Sequence, residues 1–142
     1  MKLTARANYA CRALLELSLH WPQSVPVQIG EIAKKQNIPI KFLTHILINL
    51  KQLGLVESTR GKSGGYILRK APQEIRLYDA VMHFMEGTPQ NTKARKQTRQ
   101  SEVIDMIWED FDKEMIRFLQ KITFEEIVMK ARNLEKVQMF TI

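Results

Sequence analysis

Lys41, Thr44, His45, Ile48 and Gln52 fall at i, i+3, i+4, i+7 and i+11, so on a helix they form one row. A cation, a hydroxyl, an imidazole and an amide are groups that can hydrogen-bond to base edges. The cation stands at the N-terminal end, where a recognition helix meets the major groove. Taken alone, such a row also reads as a face turned to water. Beyond it, residues 59–68 read TRGKSGGYIL, and the core Gly61-Lys62-Ser63 has the ending of a phosphate-binding P-loop. That loop requires glycine at position 56, which is Val56, and must open into a helix. Here Gly64-Gly65 leads into the apolar run Tyr66-Ile67-Leu68, a strand pattern. The remaining reading is a glycine-rich hairpin whose tip carries Arg60 and Lys62, suited to a phosphate backbone or a minor groove.

The elements that must position these groups follow from periodicity. Residues 4–21 read as a first helix, capped by Thr4, with Ala10, Leu14, Leu17 and Trp21 on its inner face and Pro22 ending it. Residues 28–35 predict a short second helix and residues 36–39 a turn. Residues 40–53 predict a third helix, stopped by Gly54. Leu43, Ile46, Leu47 and Leu50 make its inner stripe, which turns the row from Lys41 to Gln52 outward. Strands at 55–58 and 66–69 would complete the hairpin. The order helix, helix, helix, hairpin is that of a winged helix-turn-helix. A fourth helix is expected over 77–86, closed by Gly87.

Charge supports this division. The 142 residues carry a net +7, and residues 1–87 hold 12 basic against 6 acidic side chains. Residues 88–100 hold four and none, and residues 101–142 six and nine. The excess favours a polyanionic partner of the first two-thirds of the chain. Residues 88–100, TPQNTKARKQTRQ, have too little apolar content to bury themselves and read as a basic, flexible linker. From residue 101 the pattern sharpens: Ile104, Trp108, Phe111, Met115, Phe118 and Ile122 are spaced 4, 3, 4, 3, 4, the seam of a helix that packs along another helix. Val103, Ile107, Ile116 and Leu119 widen it. One small winged domain cannot bury so much on a further helix, so a twofold-related copy is the economical partner. A last helix is expected over 124–133, then an apolar tail, 137–142, packing back.

The chain therefore reads as mainly α with a small β-hairpin wing: a winged domain over 1–87, a linker over 88–100, and a dimerisation helix with a C-terminal helix and tail over 101–142. No apolar run reaches the roughly 20 residues of a membrane span, and the start lacks the apolar core of a signal peptide, so a cytoplasmic protein is expected. Cys11, the single cysteine, sits near Leu14 and Leu15 and reads as a core residue, and His20 and His83 as structural or surface groups. No nucleophile, base and orienter set suggests catalysis.

The stretches MKLTARANYACRALLELS and IGEIAKKQNIPIKFLTHILINLKQLGLVESTRGKSGGYIL, followed by a linker and a long helix, resemble the Rrf-type winged-helix regulators, a bacterial family that includes IscR, NsrR and CymR. The most specific piece is L-V-x-S-x-R-G-x-x-G-G-Y over residues 55–66. The resemblance implies a homodimer, usually a repressor, on a palindromic DNA operator, with helix three in the major groove and the wing in the minor groove. By position it assigns Lys41, Phe42, Thr44 and His45 to the reading helix and Arg60 to the wing, with Gly61, Lys62, Ser63, Gly64 and Tyr66 completing the DNA-binding set. Phe42 is not on the outward row, so its role comes from the resemblance alone. Cluster-binding members carry three cysteines in the region of residues 88–100, because thiolates hold such iron. This chain has none there, and Asn8 and Arg12 stand where some relatives supply a further ligand. No iron-sulfur cofactor and no metal is expected, which brings the chain nearer to CymR, a member that senses through a metabolic enzyme. A competing reading makes the basic linker and apolar tail a docking module for an enzyme or another regulator, with DNA binding secondary.

Overall fold

The computed structural model describes residues 3–22, 25–85 and 98–140, and the expected linker over 88–97 lies outside them. Helix α1 (Ala5–Leu19) begins at Thr4, whose side chain accepts the Ala7 N–H at 3.1 Å. It ends two residues short of the expected Trp21, because the ring of Pro22 disfavours helical backbone at the residue before it. Trp21 is accordingly 37% exposed rather than part of the inner face. Ala7, Ala10, Ala13, Leu14 and Leu17 form that face, and α1 is the central post, packed against α2, α3, α4 and α6. Its one buried charge, Glu16, meets His20 at 2.9 Å and accepts from Gln36 Nε2 at 3.1 Å.

Helix α2 (Ile29–Gln36) closes on Asn37, which takes the left-handed conformation at φ 52°. Helix α3 (Ile40–Gln52) follows, and Gly54 at φ 77° ends it as expected. Strands β1 (Val56–Thr59) and β2 (Gly65–Leu68) pair antiparallel with Val56 opposite Leu68 and Thr59 opposite Gly65. The expected strand residues Leu55 and Arg69 extend the pair by one bond, Arg69 N–H to the Leu55 carbonyl at 3.0 Å. Val27 adds a bridge to Tyr66, a third edge that the hairpin pattern does not announce.

Helix α4 (Leu77–Val81) tightens into a 3-10 turn at Met82–Phe84 instead of running to 86. The Phe84 carbonyl accepts the Thr4 hydroxyl at 2.6 Å, and Met85 is already extended. Glu86 and Gly87 lie outside the described residues. Helix α5 (Arg99–Lys121) is capped by Thr98, so the last two residues assigned to the linker, Arg99 and Gln100, are helical. Leu119 turns inward and is buried, while Ile122 is not on the helical seam. It is an extended, half-buried residue whose carbonyl accepts the Leu77 N–H at 2.8 Å. The Phe124 N–H donates to the Ile75 carbonyl at 2.9 Å and Arg76 Nη1 to the Gln120 carbonyl at 2.6 Å, stitching the α5–α6 corner to the segment before α4.

Helix α6 (Phe124–Phe140) starts from the fully buried Phe124 and outruns the expected stop at 133. Leu134 to Gln138 hold no breaker, and Asn133 alone does not end a helix. Val137 and Met139 are helical and 59% and 76% exposed, so this part of the expected tail does not pack back. No helix among the described residues is long and apolar enough to cross a membrane.

Candidate nucleic-acid interface

Helix α3 buries Leu43, Ile46, Leu47 and Leu50, and this burial fixes the rotation of the helix about its axis. Lys41, Thr44, His45, Ile48 and Gln52 are left exposed along the opposite side. The Thr44 hydroxyl donates back to the Ile40 carbonyl at 2.9 Å, so its lone pairs remain for a donor outside the helix. Phe42 is 43% exposed and lies off this row, its ring 6.2 Å from that of Tyr9 on α1 and nearly parallel to it. Lys41 Nζ stands 5.2 Å from the Phe42 ring centre.

The wing places Arg60, Gly61, Lys62 and Ser63 at its exposed tip. Gly61 takes φ 108°, which a side chain would strain. A Cβ on Gly64 would stand 2.3 Å from the Thr59 carbonyl oxygen, so the tip can fold this tightly only with glycine there. Among the described residues no ion pair engages Arg60 or Lys62, and both cations are open to an anion. Residues 61–63 join two strands and no helix follows them, which removes the P-loop reading. Tyr66 is at the base of the wing, half-buried and bonded to Val27 through its backbone.

The wing and the helix-turn-helix are tied together. Lys51 Nζ donates to Ser58 Oγ at 2.8 Å, joining the end of α3 to β1. Gln28 Nε2 donates to the Lys62 carbonyl at 3.4 Å, joining the start of α2 to the tip. Between them lies a groove of about 460 Å³ lined by Gln28, Gly30, Thr59, Arg60, Lys62 and Tyr66, among others. Gln28 and Tyr9 escape a reading by helical row because the residues they meet, Lys62 and Phe42, are distant in sequence, and Lys51 because its partner Ser58 lies on the next strand.

Cys11 lies in an apolar groove of about 350 Å³ between α1, α4 and α5. Burial pushes its thiol up to about 11, so it stays protonated and is a poor metal ligand or nucleophile at neutral pH. His83 is exposed and edge-on to Phe84. No group of three or more histidine, cysteine or acidic side chains among the described residues is arranged to hold a metal.

Residues 3–130 match the model of the Rrf2 family, described as an iron-dependent transcriptional regulator. A helix-turn-helix-type transcriptional regulator of Synechocystis is 33% identical over 141 residues, covering 97% of this chain and 95% of that protein. The transcriptional regulator IscR of Pectobacterium carotovorum is 32% identical over 131 residues, 90% of this chain and 79% of that one. The solved structure of T. potens IscR superposes with a TM-score of 0.74 at 28% identity, covering 92% of this chain and 88% of that one. These relatives are regulators of transcription and not enzymes. The winged fold and the kinship over nearly the whole chain agree, and the protein belongs to the Rrf2 family of DNA-binding transcriptional regulators.

Proposed function

We propose that the protein is a homodimeric repressor of a palindromic operator, with α3 in the major groove and the wing tip in the minor groove. The observation that carries the pairing is the outer face of α5. Val103, Ile104, Ile107, Trp108 and Phe111 are each between 51% and 56% exposed, a continuous apolar strip that one protomer leaves to water. A strip of this kind marks a protein interface, and a second copy of the same helix offers a matching surface. Reading falls to Lys41, Thr44 and His45 with Phe42 beside them, and Arg60 and Lys62 supply the phosphate and minor-groove contacts. None of the helix side chains is an arginine, so DNA shape at the wing carries much of the selectivity.

The family description invokes iron, and the donors of this chain do not fit a cysteine-ligated cluster. It has one cysteine, and that thiol is held protonated by burial. Asn8 and Arg12 add no credible iron ligand. We therefore assign no cluster to the protein.

The test has two arms. Sedimentation of the purified protein should give a dimer, and selection from random-sequence duplexes should recover an inverted repeat. A monomer at micromolar concentration, or recovered sequences without twofold symmetry, would overturn the proposal.

A further inference from the structure

Lys41 occupies the first turn of α3, where the helix dipole is unfavourable to a cation. The N-cap is Pro39, no side chain caps the turn, and no acidic residue stands in it to offset the charge. What Lys41 does have is the Phe42 ring face, 5.2 Å away. A half-exposed phenylalanine at a helix start is free to choose among rotamers unless something stacks on it. Tyr9 does so, at 6.2 Å between ring centres and 29° between planes.

Tyr9 is braced in turn. The Arg12 guanidinium stands 5.8 Å from the Tyr9 ring centre. Arg12 Nη1 also donates to the Gln36 carbonyl at 3.4 Å, in the last turn of α2, where a cation is favoured by the dipole. The sequence of contacts runs from the end of α2 through Arg12, Tyr9 and Phe42 to Lys41. It touches both helices of the helix-turn-helix from a helix that belongs to neither.

We propose that Tyr9 is a positioning residue for DNA reading: from α1 it fixes the Phe42 ring, and through that ring the Lys41 ammonium, in the orientation in which they meet the duplex. This rests on α3 reading the operator. Fixing the side chains beforehand removes an ordering cost that a specific site would otherwise bear. Non-specific binding, governed by charge alone, gains nothing from it.

The probe is the tightest duplex recovered from random-sequence selection, compared with a scrambled duplex of the same length. Tyr9→Leu should weaken operator binding about tenfold, leave scrambled-duplex binding unchanged and keep the wild-type salt slope, because no cation is lost. Tyr9→Phe, which keeps the ring, should bind as wild type. In the pair Tyr9→Leu and Lys41→Ala the losses should be less than additive, since each breaks the same chain of contacts. Equal losses on both duplexes, or additive losses in the pair, would overturn the relay. If Tyr9→Leu does not fold, Tyr9→Met, which keeps apolar bulk at this position without a ring to stack, should give the same split. Failure of the broader reading looks different: Lys41→Ala and Thr44→Ala would then themselves bind the operator like wild type.

Discussion

Tyr66 and Val27 exchange two backbone hydrogen bonds, Tyr66 N–H to the Val27 carbonyl at 2.8 Å and Val27 N–H to the Tyr66 carbonyl at 2.9 Å. The pair anchors the wing to the segment that enters α2. It leaves no room for a side chain at Gly65, where a Cβ would stand 2.4 Å from the Val27 oxygen. Gly65→Ala should therefore cost about 1–3 kcal/mol of stability, the scale of forced overpacking. Gly30→Ala, with nothing within 4 Å of its Cβ, should shift stability by less than about 1 kcal/mol. Thermal unfolding of the two variants side by side is the check.

Arg60 is an exposed wing-tip cation without an ion-pair partner among the described residues. Arg60→Ala should weaken operator binding by roughly 1–3 kcal/mol, the worth of one good contact to the duplex. If Arg60 neutralises one phosphate, the slope of log affinity on log salt should become shallower by about 0.9. Unchanged affinity across a salt titration would take the wing tip out of recognition.

On α5 the Trp108 and Phe111 rings meet edge to face at 6.1 Å with both side chains about half exposed. Trp108→Glu puts a charge into the strip without touching the domain core. Sedimentation should then give a monomer at concentrations where the parent chain pairs, with an unchanged far-ultraviolet dichroism spectrum. Operator affinity should fall with it, because two half-sites can no longer be held at once.

Cys11 has its thiol pushed up from 9.0 to about 11 by burial. Below pH 9 the thiol is protonated in folded and unfolded chains alike, and its contribution to stability is fully present. Between pH 9 and about 11 the unfolded chain releases the proton first, so stability falls as pH rises through that window. Cys11→Ala should flatten this alkaline loss in melting-temperature profiles. Alkylation by iodoacetamide at pH 8 should be much slower in the native protein than in urea.

Protein prepared without oxygen should be colourless and carry iron far below one cluster per chain. A visible absorption band that disappears on chelation would contradict the proposal that the protein binds no cluster.

Much of this architecture is readable in the residues, and the exceptions have physical causes. The inner stripe of α3 is plain because four aliphatic side chains recur at helical spacing between Pro39 and Gly54, and burying them dictates what faces out. The wing is plain because glycines and cations interrupt two strand-forming runs. Element ends are harder: α1 stops early because Pro22 acts on its predecessor, and α6 runs on because Asn133 is only a weak breaker. The periodic pattern of α5 runs one residue too far, to Ile122, because periodicity cannot register that a backbone carbonyl is claimed by Leu77. The Tyr9–Phe42 stack is invisible to any periodic reading, since it depends on how closely α1 and α3 cross.

The corner at Ile122 and Thr123 gives α5 a clamped root. Three hydrogen bonds and the plug of Phe124 hold it against the segment from Ile75 to Leu77, so the rod leaves the domain at a set bearing rather than swivelling. In a pair joined through such rods, the stride between the two reading heads is a dimension of each single protomer. Operators with half-sites moved a few base pairs closer or farther apart would then be refused outright rather than met by stretching.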